Sequence, residues 1–388
     1  MTCPRQNIDT LSAQPSVRVS RSGDRARGRA LAAGLGLCLL GCGPVGVDEA
    51  ATRYRKRIQE TLGADLARPP EQPPAGVEPG DSGARPGPGP AVETRLPRRR
   101  ERRVAVGDTR IGPFEFLGLI GCSLSEVVAA RNGPLGKLSV PTRRLAHEVE
   151  VLTTGRECLA SLEGDRAAQL QSVLEAKEPE LAVHRWNAIW LDAELERYLT
   201  AGPAALVGGR DPQDGAWQLR QLADAARRAA VRSARDEASG AVEAIETALA
   251  ELRDDRAVGP SLRALETTRI ELARVADWIA PRAQPGCDDR SKRLVRDFRE
   301  AYLPLQPKLV ELDRRTGAVL EGLDALYRAT RDSVPVSTTM EGWAREVLDT
   351  QTKSGLWQRY RDALTRHAGA WAALFSACGV PLVDEARS

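Results

Sequence analysis

The segment Trp217–Leu252, WQLRQLADAARRAAVRSARDEASGAVEAIETALAEL, decides the fold class. Its apolar or alanine positions are 219, 222, 226, 230, 234, 238, 242, 245, 249 and 252. Steps of three and four place them on one stripe of an α-helix, because residues at those separations share a face. Alanine dominates the stripe, so the backbone of a neighbouring helix can approach closely. The expectation is a single long helix packed along a partner.

The same period continues outward in both directions. A short apolar helix is expected over Pro113–Gly121. Ser123-Leu124-Ser125-Glu126 has the form of a capping box, which satisfies end-of-helix amides reciprocally, and opens a helix ending near Asn132. Pro141 suits a first helical turn and precedes Leu145, Val149, Leu152, Leu159 and Leu162 on one face. Asp165–Ala176 is expected to be helical, and Pro179 to open a helix carrying Leu181, His184, Ala188, Leu191, Leu195 and Tyr198. Leu262–Ile279 and Asp289–Tyr327 follow, the latter interrupted near Pro304 and Pro307 because proline offers no amide to the helix. The last block divides near Lys353–Gly355, and its final helix, with Trp357, Tyr360, Leu364, His367, Trp371 and Leu374, stops at Gly379 and Pro381. No alternation of period two competes. The expected class is all-α, an elongated antiparallel multi-helix bundle over residues 104–388.

Composition agrees with a helical domain of this size. The chain has 388 residues, 42% of them hydrophobic but only 4% aromatic, so leucine, alanine and valine must supply the core. Apolar runs long enough for a polytopic membrane protein are missing, and seven cysteines are too sparse for a disulfide-framework domain.

The amino terminus reads as an address. Arg21, Arg25, Arg27 and Arg29 precede the apolar run Ala30–Gly41, ALAAGLGLCLLG, which is too short to span a bilayer and has the form of a signal peptide over residues 1–41. Residues 1–20 are an atypical lead, which suggests a misplaced start, with Val17 or Val19 as the true one where initiation uses a non-ATG codon. Leu39-Leu40-Gly41-Cys42 resembles the lipobox of bacterial lipoproteins. That resemblance implies a diacylglyceryl group on the Cys42 thiol and palmitate among its acyl chains, anchoring a lipoprotein in the cell envelope on the periplasmic side. Two acyl chains hold a protein on a membrane where one does not. Gly43 at the following position, rather than aspartate, favours the outer membrane by likeness to enteric lipoproteins. The competing reading is a buried helix with cysteines present by chance.

Charge argues against nucleic acid. The formal charge of +3 becomes about −1 after removal of residues 1–41, and residues 104–388 hold 38 bases against 42 acids. A nucleic-acid binder needs a basic domain. Arginine outnumbers lysine by 50 to 6, which fits a GC-rich genome better than phosphate recognition.

Between anchor and bundle the sequence suggests two segments. Residues 42–66 hold the cysteine and a short helix, Val47–Leu62, with Val47, Ala51, Tyr54, Ile58 and Leu62 at helical spacing, expected to dock on the main domain or to lie on the membrane. Residues 67–103 are expected to be a disordered Pro/Gly-rich tether: Pro69–Pro97 contains nine prolines and five glycines, a composition that builds no core and could reach about 90 Å. Six arginines crowd the nine residues Arg95 to Arg103, either a solvated charge run or a contact for anionic lipid head groups.

Signals for chemistry are few. Cys122, Cys158, Cys287 and Cys378 admit up to two disulfides in three connectivities. Pairing neighbours in sequence joins Cys122 to Cys158 and Cys287 to Cys378, and the alternative is buried free thiols. The chain lacks a Ser-x-x-Lys nucleophile, a Gly-x-Ser-x-Gly elbow and a His-Glu-x-x-His zinc motif. Of three histidines, His184 and His367 lie on apolar helix faces, where core histidines are expected, and no catalytic residue, cofactor or metal is assigned. Trp186 and Trp190 share a face beside Asn187, a pattern of core packing around one amide. The loop Arg131-Asn132-Gly133-Pro134-Leu135-Gly136-Lys137, followed by Arg143 and Arg144 on an opening helical turn, could receive an anionic group or serve as a tight interhelix turn.

The span Ile111–Leu162, with FEFLGLIGCSLSEVVAARNGPLGKLSVPTRRLAHEVEVL and the trailing CLASL, together with Trp186-Asn187-Ala188, resembles a proteobacterial lipoprotein family catalogued as domain of unknown function 3080. The likeness is expected to cover most of residues 47–330. It implies an all-helical envelope lipoprotein and carries over no catalytic residue. Three functions follow from these readings. One is a non-enzymatic envelope scaffold that holds a partner protein. A second is a periplasmic hydrolase of envelope lipid or polymer using Glu126, Glu148 or Glu150. The third is an anionic-ligand binder using Arg131, Asn132, Lys137, Arg143 and Arg144.

Overall fold

Amphipathic period becomes helix wherever a computed structural model describes the chain, at residues 46–63, 90–107, 122–132, 139–200, 212–229, 235–254, 258–283 and 287–381. Among them are fourteen α-helices and no strand, an all-α multi-helix fold. In chain order they are α1 (Val47–Leu62), α2 (Arg99–Arg102), α3 (Leu124–Asn132), α4 (Pro141–Leu159), α5 (Gly164–Lys177), α6 (Glu180–Trp190) and α7 (Ala193–Thr200). The second half holds α8 (Pro212–Arg228), α9 (Arg235–Glu251), α10 (Val258–Ile279), α11 (Asp289–Asp297), α12 (Gln306–Arg331), α13 (Thr338–Trp343) and α14 (Leu356–Ala377). Short π-helical turns at Phe298–Tyr302 and Ala344–Leu348 extend α11 and α13. No described helix is long and apolar enough to cross a membrane.

Two hydrophobic cores share the helices α10, α12 and α14. The first takes Leu262 and Leu265 of α10, Leu320 and Leu323 of α12 and Tyr360 of α14, with α4, α6, α7, α8 and α9 around them. The second takes the far part of α10 (Leu272, Val275, Ile279) and of α14 (Trp371, Leu374, Phe375). There α1 buries Ala51, Tyr54, Ile58 and Leu62, and α11 buries Leu294 and Val295. A smaller cluster joins α3, α4 and α5 through Leu124, Leu152, Leu170 and Leu174.

The segment that decides the class is not one helix. It forms α8 and α9, which fold back and pack against each other, while α8 also packs along α12. The reason is the width of the buried surface on α8. Ala216, Leu219, Leu222, Ala223, Ala225 and Ala226 are all fully buried, more than one stripe can account for. An unbroken helix would cover only one side, whereas the hairpin covers both. Small residues set the spacing: a Cβ added at Gly322 of α12 would lie 3.0 Å from Cβ of Leu219 and 3.3 Å from the Ala216 carbonyl oxygen.

The helix expected after Pro179 is likewise two, α6 and α7. The carboxylate of Asp192 accepts the amides of Glu194 (2.8 Å) and Leu195 (3.3 Å), so it caps a new helix where the period alone would continue the old one. The helix expected at Pro113–Gly121 lies outside the described residues, as do residues 1–45, with Cys42, and residues 64–89 of the expected tether.

The last part of that tether is a correction. Residues 90–107 form an extended strap with one turn, α2, and bury Val92, Leu96, Arg102 and Val104. Polar side chains of the bundle hold its backbone: Glu266 accepts the Val92 amide at 2.8 Å, and Trp343 Nε1 donates to the Thr94 carbonyl at 3.5 Å. The proline and glycine content that argued for disorder says nothing of such partners, which come from distant helices.

Candidate functional site

Arg102 leads the strap into its most buried stretch. Its guanidinium is 1% exposed, donating to the Trp190 carbonyl at 2.8 Å and to Glu196 at 2.7 Å. Burial of this charge is tolerated because both hydrogen bonds are made and one partner is ionic. The arginine run read from the sequence is therefore divided. Arg95, Arg98, Arg99, Arg100 and Arg103 stay exposed, while Arg102 is structural. Two residues on, Asn187 grips Val104 as a neighbouring strand would, its Oδ1 accepting the amide (3.1 Å) and its Nδ2 donating to the carbonyl (2.8 Å). Trp186 Nε1 donates to the Arg102 carbonyl at 2.7 Å, and its ring stacks on that of Trp190 with centroids 5.3 Å apart. Both tryptophans are fully buried, as the pattern of core packing around one amide predicts.

Between the end of this strap, the start of α4 and α6 lies a cleft of about 370 Å³. Val104, Ala105, Val106, Pro141 and Leu191 supply apolar walls, and Arg103, Arg144 and His184 bring nitrogen donors or acceptors to them. Pro141 is the first residue of the 19-residue helix α4, so the positive end of its dipole lies at the cleft. Arg144 Nε donates to the Ser139 carbonyl at 3.1 Å, which fixes the guanidinium there.

Behind the cleft is a half-buried polar cluster. Lys177 Nζ stands 2.9 Å from Glu148 and 4.0 Å from Glu180, and His184 Nε2 lies 4.0 Å from the other oxygen of Glu148. Burial opposes the ionised form of Glu148, but the Lys177 charge and hydrogen bond outweigh it, with help from His184 and His147, and hold the carboxyl below its usual range. Burial lowers His184 and His147, against the raising field of Glu148. Gly107 ends the strap against this cluster, where a Cβ would stand 2.0 Å from Oε1 of Glu180.

The residues proposed from sequence distribute unevenly around this geometry. Arg144 faces the cleft. Arg143 does not: it is exposed, with its guanidinium 4.0 Å from Glu246 of α9. Arg131 is half-buried at the end of α3, and its charge helps lower His147. Lys137, the side chain of Asn132 and the loop between them lie outside the described residues. Of the carboxylates considered for hydrolysis, Glu126 sits on the exposed surface of α3, Glu150 on that of α4, and Glu148 is paired with Lys177. Glu148 and Glu150 point to different sides of one helix, so the three do not converge. Among the described residues no three His, Cys, Asp or Glu side chains are grouped to hold a metal ion.

The cysteines fall into two neighbouring pairs. Cys122 and Cys158 have Cα atoms 5.9 Å apart, and Cys287 and Cys378 4.7 Å apart, distances that a disulfide spans. The second pair joins the residue two before α11 to the end of α14. His367 is a core histidine: its Nε2 accepts from Trp371 Nε1 at 3.1 Å and lies 2.7 Å from the Tyr54 hydroxyl, and burial pushes its pKa down to about 3.

Sequence reasoning missed Arg103, Lys177 and the strap itself. Arg103 sits in a run that reads as solvated charge or a lipid head-group contact, not as the wall of a cleft, and Lys177 ends an ordinary amphipathic helix. Only the approach of α5 and α6 to α4 gives Lys177 its partner.

Fold and site together define an all-α helical domain with one strap-bordered, arginine-lined cleft. The chain belongs to the family described as protein of unknown function (DUF3080), whose model matches residues 86–382. The match begins just before the strap and leaves α1 outside, so it runs further toward the carboxyl terminus, and starts later, than the resemblance had implied. No curated protein and no solved structure matches the chain.

Proposed function

We propose that this protein is a lipid-anchored lipoprotein of the bacterial envelope, facing the periplasm, and that its helical domain binds an anionic group carried on a small apolar body. The observation that carries this reading is the cleft, where Arg103, Arg144 and the α4 amino terminus surround walls that are otherwise apolar. A guanidinium held against such walls recognises a carboxylate or phosphate more strongly than one in open water. Lipid anchoring rests on the Leu39–Cys42 motif and the basic apolar leader. The scaffold reading keeps the same surface, since the anionic group could equally belong to an envelope protein partner.

Hydrolysis is the less favoured reading for a physical reason. A general acid needs a carboxyl raised towards neutrality, and Glu148 is driven the opposite way by Lys177.

Titration of the purified chain with octanoate and octyl phosphate, followed by amide chemical shifts, tests the cleft. Saturable shifts at Val104–Val106 and around Pro141 are expected. Arg144→Ala should weaken binding about tenfold, or about 1.4 kcal/mol. Absence of saturation, or equal affinity in the variant, would overturn the site. Separately, Cys42→Ala should lose the acyl mass at the mature amino terminus.

A further inference from the structure

The position of α1 constrains how the domain meets a membrane. With Tyr54, Ile58 and Leu62 fully buried in the second core, α1 is part of the bundle and not a spacer. Only four residues separate Cys42 from Val47, a length of chain that spans at most about 17 Å. The Pro/Gly-rich stretch lies after α1, between two segments that are both packed into the domain, so it adds no slack between Cys42 and the bundle.

The surface around α1 suits a bilayer. An open groove of about 630 Å³ runs between α1 and the start of α12, with Arg53, Lys56, Arg57 and Lys308 along it beside Glu60 and Glu300. Next to it the exposed charged positions from Asp288 to Glu300 are Asp288, Asp289, Lys292, Arg293, Arg296, Arg299 and Glu300, four bases against three acids; the acids at the start of α11 include Asp289, 3.1 Å from Lys292, and the three arginines follow it along the chain. This contrasts with the acid excess of residues 104–388 as a whole. Large apolar side chains are exposed in the chain that follows these bases, Leu303 at 45% and Val310 at 68%. A basic face with apolar side chains at its edge is the pattern that anionic lipid surfaces attract.

We infer that the exposed face of α11, with α1 and the first turn of α12, rests on an anionic phospholipid surface and holds the domain flat against the membrane. The inference leans on the lipid-anchor reading for its chain-length argument, whereas the charge and apolar pattern stand without it. On this assignment the head-group contact is made by Arg293, Arg296 and Arg299, in preference to the run Arg95 to Arg103.

Hydrogen exchange of the mature full chain, isolated from membranes and placed in vesicles, distinguishes the outcomes. Vesicles of phosphatidylglycerol mixed equally with phosphatidylcholine are compared with phosphatidylcholine alone. Exchange in 288–310 and 50–60 should slow several-fold only with phosphatidylglycerol. Arg293→Glu, Arg296→Glu and Arg299→Glu combined should abolish the difference, and helical circular dichroism of that variant checks its fold. A second variant, Val310→Ser, should reduce the protection of 303–310 while leaving the charge contact. No phosphatidylglycerol effect on this face, or protection of another face instead, overturns the inference. Intact mass of the same sample reports the acyl group independently, so loss of the anchor reading and loss of the docking face are separate results.

Discussion

Two segments flank residues 64–89, and they join the bundle by different means. α1 docks through a hydrophobic stripe, Ala51, Tyr54, Ile58 and Leu62, and then adds polar fastenings: Arg55 to Glu271 at 2.6 Å, Arg57 to Asp297 at 2.8 Å, and Tyr54 to His367. The strap at residues 90–107 has no helical period; it buries alternate residues over two short stretches, Val92, Thr94 and Leu96, then Arg102 and Val104. It is held by side chains of other helices that reach its backbone, above all Asn187, Trp186 and Glu266. The difference teaches that a docking helix announces itself in its own sequence, because its apolar spacing is the cause of docking. A strap is specified by its receptors, whose own positions read as ordinary core.

The two attachments can be broken separately, and the largest effect is expected where two helices packed beside α1 are joined covalently. In the oxidised chain a Cys287–Cys378 bond closes a 91-residue separation and ties α11 to α14 beside α1. Cys378→Ser should cost about 5 kcal/mol by loop-closure entropy. Urea denaturation of oxidised wild type and variant measures it, and equal midpoints would show that the thiols are not joined. Peptide mapping without reductant should at the same time find Cys122 linked to Cys158.

Trp186→Ala comes next, at about 4 kcal/mol, since it empties a fully buried site and removes the donor to the Arg102 carbonyl. Limited trypsin digestion should then cut first at Arg98–Arg103. First cleavage within α1 would mean that the strap does not depend on this residue. The converse variant, Ile58→Ala, should cost about 3 kcal/mol and expose Arg53 to Arg57 to trypsin while the strap stays protected. Simultaneous loss of both segments would show that the two cores unfold as one unit.

A smaller, graded effect should appear with pH. His367 is held neutral by burial with a pKa near 3, whereas in the unfolded chain it titrates at its ordinary value. Its contribution to stability is therefore complete above about pH 6.5 and declines as pH falls towards 3, by up to about 1.4 kcal/mol per pH unit. His184, His147 and Glu148 are also lowered and add the same sign of dependence. The slope of denaturation midpoint against pH should be shallower in His367→Gln than in wild type. Equal slopes would place the acid sensitivity in the other groups.

Much of the helical order was legible beforehand, and particular residues show why. Val47–Leu62 has the predicted limits, Pro141 opens α4, Pro304 and Pro307 break the α11–α12 run, and Gly379 takes a positive φ of 61° where the last helix stops. Each depends on local chemistry: apolar spacing, a missing amide, a residue without a Cβ. The candidate site was legible only at Arg144. Its other walls, Arg103 and Val104–Val106 from the strap and His184 from α6, are brought together by contacts between segments about 80 residues apart, for which no local signal exists.

By itself the sequence determined the class of the fold, because helical period is a property of neighbouring residues, and it offered a stretch at Leu39–Cys42 that resembles a lipobox, because such a motif is contiguous. Tertiary structure alone decided that Trp217–Leu252 folds back on itself, that the strap belongs to the domain and that Glu148 pairs with Lys177. The Ala-rich period runs unbroken through residues 229–234, so nothing local marks the division into α8 and α9. What the structure adds is that α8 has two neighbours, α9 and α12, and a stripe wide enough to bury against both.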